Sequence, residues 1–149
     1  MKGTSEEIVR LAHDDRRVEF ILRPFVEQEW FALLDRCDII AFPYTPTRFE
    51  TSIPAILVEA LASGAPVVVP AGTALSLTLD ELGGPGTTFD RWEPTSIASG
   101  IAEATDRFHD LAARAFEPGR IWRGRHGPDR FARAILELAA RRCPNLSFG

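Results

Sequence analysis

Residues 51–70 read TSIPAILVEALASGAPVVVP, a loop, a helix, a stop and a strand in immediate succession. Ile53, Ile56, Leu57, Ala60 and Leu61 recur at helical spacing and make one apolar face. Pro54 suits the first helical position, where its missing N–H costs nothing and its fixed φ is already helical. The proline pushes Ile53 away from helical angles, which suits a cap, with Thr51 and Ser52 leading in. Gly64 predicts a left-handed stop and Pro66 bars continuation. Val67, Val68 and Val69 then form the short apolar run typical of a parallel strand covered on both faces.

Working outward, the same alternation continues. Residues 4–16 predict a helix with Thr4 or Ser5 as cap, and 18–22 a strand broken by Arg23-Pro24-Phe25. Residues 27–36 predict a helix packing Trp30, Phe31, Leu33 and Leu34, and 38–44 (DIIAFPY) a strand that ends at Pro43. Residues 45–52 read as a polar loop with no element of its own. On the other side, Thr73 caps a helix over 74–82, Gly83-Gly84-Pro85-Gly86 is a hard break, and 87–89 is a short strand. A helix runs from 94 or 95 to 107, extended or kinked toward Phe116, and 117–127 reads as irregular and arginine-rich. Residues 129–142 form a last amphipathic helix with Phe131, Ile135, Leu136 and Leu138. Strands alternating with helices predict an α/β fold, a Rossmann-like doubly wound parallel sheet with helices on both faces.

A length of 149 residues predicts one domain over 1–149, large enough for a real core. An apolar share of 45% with 26% charged is that of a soluble globular protein, and a net charge of −4 gives the chain as a whole no nucleic-acid or membrane footprint. Cys37 and Cys143 are too few and too far apart for a disulfide framework or a zinc knuckle. The N-terminus has no apolar stretch of signal-peptide type, and no run approaches the roughly 20 apolar residues of a transmembrane segment, so a cytoplasmic location is expected. His13, His109 and His126 have neither metal spacing nor a nucleophile elbow nearby. Arg120, Arg123, Arg125 and Arg130 near Trp122 read as a solvated or salt-bridged tail, with phosphate or an anionic membrane surface as the alternative.

In open α/β sheets, ligands sit at the carboxyl ends of the strands. That rule selects residues 43–52, then 70–73 with Gly72 and Thr73, then 89–92. The helix start at Ile53 lies on this rim and has two readings. It is an ordinary cap, or it is a diphosphate site using the hydroxyls of Thr51 and Ser52 and the N–H of Ile53 or Ala55. Glu59 stands on the shoulder of the apolar face, and spacing alone makes it a solvated surface glutamate.

The string VEALASGAPVVVPAGT resembles the signature of the GT-B glycosyltransferases called glycosyl transferases group 1, an EA-x-A-x-G-x-PVV segment. Glu59-Ala60, Ala62, Gly64, Pro66, Val67 and Val68 all fall in place. Residues 18–44 look like the family's third strand, its helix and the strand ending in DxxxxPY, and 87–89 look like the strand after the glycine break. The resemblance implies a nucleotide diphosphate-sugar donor, transfer of the sugar to an unknown acceptor, and no metal or other cofactor. The family's second glutamate accepts hydrogen bonds from the ribose hydroxyls, and Glu59 matches it. The first glutamate, which contacts the donor sugar, falls at Thr51, with Glu50 one residue earlier. The family's loop glycines are replaced by SIPA, and the lysine of a subgroup with a similar SIP element is Ile56 here. The expected donor-binding set is thus Glu50, Thr51, Ser52, Ile53, Glu59, Gly72 and Thr73, with no catalytic residue named.

The family also has an N-terminal acceptor domain, two further strands and a basic pair upstream of this point, none of which this sequence matches. The expectation is a donor-binding domain truncated upstream, or one whose acceptor domain is supplied by another chain, inactive in sugar transfer by itself. Residues 18–22 would then lack neighbouring strands. The alternative is a non-catalytic nucleotide-binding or interaction module completed by a partner chain.

Overall fold

The computed structural model describes residues 15–126 and 128–142. The chain divides after Ala32 into two compact units. In the first, the expected helix over 4–16 lies outside the described residues except for its end, and Asp15 and Arg16 there belong to a turn. The Val18 N–H donates to the Asp15 carbonyl at 3.0 Å, and the Arg17 guanidinium grips the Asp15 carboxylate at 2.7 and 2.9 Å.

Residues 18–22, expected as a strand, pair with no strand among the described residues. Val18, Phe20, Ile21 and Leu22 are all exposed. The reason is physical: β-propensity sets a preference, but a strand exists only when a neighbour takes up its N–H and C=O groups. Helix α1 (Glu27–Leu34) follows. Glu29 in its first turn accepts from the Val26 N–H at 3.3 Å and from Arg23 at 2.6 and 2.8 Å, a carboxylate lid on the helix start. Phe25 stands 6.0 Å from Trp30 and under the Arg23 guanidinium.

In the second unit, β1 (Ile40–Ala41), β2 (Val67–Pro70) and β3 (Gly86–Phe89) form a parallel sheet in the order β1-β2-β3. Ile40 is in register with Val67, and Val67 with Gly86. The first strand is shorter than the expected 38–44, although the Phe42 N–H still reaches the Val68 carbonyl at 2.8 Å. Pro43 then has no N–H to continue, and the Tyr44 N–H turns back to the Phe42 carbonyl. The loop over 45–52 does hold an element, a 3₁₀ turn at Pro46–Phe49. Its proline presets φ, and Phe49 anchors it by burial, stacked on Tyr44 at 4.6 Å.

Helix α2 (Ala55–Ser63) links β1 to β2, and α3 (Ala74–Glu81) links β2 to β3. Crossovers of one hand in a 1-2-3 order put both connecting helices on one face. There Leu57, Ala60 and Leu61 of α2 and Leu75 and Leu79 of α3 bury Val67 and Val69. Val68 points the other way and packs with Phe89, Ala104 and Leu111. Ala104 belongs to α4 (Pro94–Asp106) and Leu111 to α5 (Phe108–His126), which cover the second face. The central strand is fully buried on both sides, as its uninterrupted valines predict. The sheet is a small Rossmann-like α/β sheet with helices on both faces.

Two glycines have structural reasons. Gly64 ends α2 at φ +83°, the left-handed stop read from the sequence. Gly86 opens β3 so close to β2 that a Cβ on it would lie 2.1 Å from the Val67 carbonyl oxygen. Two boundaries differ from expectation. Pro54 has extended angles (φ −70°, ψ 141°) and is the cap of α2, so the first helical residue is Ala55. And α5 runs on through the region expected to be irregular, past Pro118. Its burial of Leu111 and Ala115, with the Arg114–Asp110 and Arg120–Glu117 pairs along its length, outweighs the one backbone hydrogen bond a proline removes. A last helix, α6 (Pro128–Arg142), packs against α5.

Candidate functional site

The carboxyl ends of the three strands open onto three segments. After β1 come the 3₁₀ turn and the lead into α2, after β2 the turn at Ala71-Gly72, and after β3 the run to Trp92. One contact across this rim has no local sequence signal. The Trp92 indole N–H donates to the Pro43 carbonyl at 3.0 Å, joining the segments after β1 and β3 beyond the end of β2. The Ala71 N–H donates to the Phe89 carbonyl at 2.9 Å, which ties the β2 turn to β3.

The two helices that start on this rim end their backbones differently. At α3, Thr73 and Ser76 form a reciprocal capping box. Thr73 Oγ1 accepts from the Ser76 N–H at 3.4 Å, and Ser76 Oγ accepts from the Thr73 N–H at 3.1 Å. The Thr73 hydroxyl also donates to the Pro70 carbonyl at 2.7 Å, and Thr73 is fully buried. At α2, the cap residue is Pro54 and it makes no side-chain cap hydrogen bond. Pro54 is a cap without a polar side-chain group; its carbonyl accepts from the Leu57 N–H at 3.0 Å, and the Ala55 and Ile56 N–H groups stand with the positive end of the helix dipole at the rim.

The expected donor-binding residues fall into three groups. Glu50, Thr51, Ser52 and Ile53 are exposed on the approach to α2, with Ser52 Oγ 3.5 Å from the Arg48 carbonyl. Glu59 is half-buried on α2, just beyond its first turn. Gly72 is exposed at φ +67° in open space, and Thr73 beside it is enclosed by its capping contacts. The chain thus brings Glu50, Thr51, Ser52 and Ile53 to the start of the helix that carries Glu59, and Gly72 to the end of the adjacent strand. The Thr73 side chain serves its own helix. Sequence reasoning missed Trp92, whose partner is 49 residues away.

At the opposite edge of the sheet, a groove of about 210 Å³ is lined by Asp35, Cys37, Asp38, Ser63 and Pro66, among others. Among the described residues, no His, Cys, Asp or Glu cluster is arranged to hold a metal ion, and no helix is long and apolar enough to cross a membrane. Comparison of the chain with protein-family models, with curated proteins and with solved structures returns no match.

Proposed function

We propose that this chain binds a nucleotide diphosphate-sugar, as the donor-side domain of a group 1 glycosyltransferase of the GT-B type. The observation that carries this reading is the start of α2, a nine-residue helix whose positive end has no side-chain cap at the ligand edge of a parallel sheet. In this reading the diphosphate takes the Ala55 and Ile56 N–H groups of α2 and the hydroxyls of Thr51 and Ser52. Glu59 accepts hydrogen bonds from the ribose, and Gly72 leaves open space at the end of β2. The EA-x-A-x-G-x-PVV run supports the reading because it places a half-buried glutamate on that same helix. Sugar transfer then belongs to this domain together with an acceptor-holding domain.

Calorimetric titration of UDP, GDP and ADP tests the binding step. Charge-assisted hydrogen bonds contribute about 1.5–3 kcal/mol, so Glu59→Ala should weaken nucleotide binding roughly 10- to 100-fold with an unchanged circular dichroism spectrum. Equal affinity of variant and parent removes Glu59 from the site, and no binding of any nucleotide by the parent ends the reading. A second reading is a nucleotide-binding module without catalysis, and the exposed Thr51 where the family carries its sugar-contacting glutamate favours it. Release of nucleotide diphosphate from a panel of nucleotide-sugars and acceptors, abolished by Glu59→Ala, would decide for the enzyme.

A further inference from the structure

The net charge of −4 hides a division within the chain. Residues 108–142 hold eight arginines against four carboxylates, a net +4, so the rest of the chain carries −8. The arginines of the final helix share with Arg16, Arg36 and Arg48 the lack of an ion pair among the described residues. Arg17, Arg23, Arg91, Arg107, Arg114 and Arg120 each contact a carboxylate. Arg130, Arg133, Arg141 and Arg142 are exposed, and among the described residues they make no ion pair. A salt-bridged tail therefore does not account for them.

The same helix has an uncovered apolar face. Phe131, Ile135 and Leu138 recur at i, i+4 and i+7, with Leu136 on the shoulder, and they are 69%, 50%, 55% and 48% exposed. Alanines continue the arc and Arg142 closes it at the C-terminal end, while Asp129, Arg130, Arg133, Glu137 and Arg141 fall outside it. Half of this helix is therefore apolar and in water, and its polar half is net positive.

We infer that α6 is an interfacial helix that lies flat on an anionic lipid bilayer. Phe131, Ile135 and Leu138 sink into the acyl boundary, and Arg130, Arg141 and Arg142 lie against the lipid phosphates. A helix of 15 residues is about 22 Å long, too short to span a bilayer but suited to its surface. Arg142, on the apolar side, reaches the headgroup level by its long stem, while Arg130 and Arg141 flank the buried face. Charge separates this occupant from a second copy of the helix. Two copies meeting face to face would bring together helices of net +2 each, whereas a surface of phosphatidylglycerol supplies the opposite sign.

The test is sedimentation of the full chain with vesicles of phosphatidylcholine alone and of equal parts phosphatidylcholine and phosphatidylglycerol. The expected result is binding to the anionic vesicles at least about tenfold tighter than to the neutral ones, weakening as salt rises. Replacing Arg130 and Arg141 by glutamine should weaken binding to the anionic vesicles roughly 30-fold. Phe131→Ser with Leu138→Ser should weaken it by more than about tenfold while the circular dichroism spectrum stays that of the parent, since both side chains are exposed. Equal binding to both vesicle types, no binding to either, or double variants that bind like the parent would each overturn the inference. So would a concentration-dependent dimer, seen by sedimentation velocity without lipid, that Phe131→Ser with Leu138→Ser abolishes. That result would give the face to a second copy.

Discussion

Thr73→Val separates a residue that holds the rim from one that holds a ligand. Valine has nearly the shape of threonine, so the cavity stays filled and only the hydroxyl is lost. That hydroxyl accepts from the Ser76 N–H and donates to the Pro70 carbonyl, both at buried residues. Loss of the cap costs about 0.5–2 kcal/mol. Leaving a buried carbonyl without its donor costs about 1–3 kcal/mol, and the added methyl recovers part of the sum. The net expectation is about 2–3 kcal/mol, or a melting temperature lower by roughly 5–10 °C for a chain of this size. Urea unfolding followed by circular dichroism measures it, with an unchanged slope showing that the unfolded state is the same. Thr73→Ser keeps the hydroxyl and should stay within about 1 kcal/mol of the parent. If Thr73→Val melts with the parent, the capping box does not stabilise α3 and the account of this turn fails.

Gly86→Ala forces a Cβ to within 2.1 Å of the Val67 carbonyl oxygen, so the ladder between β2 and β3 must open. A loss above about 3 kcal/mol is expected in the same unfolding assay, and a neutral effect would refute the close approach of β3 to β2 at this residue. Gly64→Ala meets no atom closer than 3.8 Å, but its φ of +83° places alanine in the left-handed region, so a smaller loss of about 1–2 kcal/mol is expected. Glu29 is held below the ordinary glutamate range, first by its hydrogen bond with Arg23 and then by the Val26 N–H. Its folded pKa is depressed, so the contact is intact at neutral pH and is lost as pH falls through the lowered value. A carboxyl titration by NMR should show a midpoint below that of a free glutamate, and Arg23→Gln should raise it toward the ordinary value while the Val26 N–H contact remains.

Most of the sheet was legible because its signals are local. Gly64, Thr73 and the valines at 67–69 act on their own neighbours, and each does what its chemistry prescribes. Residues 18–22 misled because strand propensity is realised only by a partner, and partners are not written locally. Residues 117–127 misled in the opposite sense, since packing of Leu111 and Ala115 supports a helix that continues through a segment read as irregular. At the candidate site, the shoulder position of Glu59 on the helical wheel matches its half-buried state. The uncapped start of α2 was one residue out, because Pro54 fits both the cap and the first helical position. The burial of Thr73 and the reach of Trp92 to Pro43 depend on how segments fold over one another, which no spacing rule contains.

The bond from Trp92 to Pro43 has a mechanical consequence for the edge of the sheet. With two residues in its ladder, β1 has little of its own to keep it against β2. The indole clasps the chain just past that strand from the far side of β2, closing residues 43–92 into a ring that has the central strand inside it. Peeling of the edge strand therefore has to break this bond as well as the Phe42 N–H contact to the Val68 carbonyl. The loop that leads into α2 is thus held at two points, by Phe49 within its own turn and by a tryptophan 49 residues downstream of Pro43.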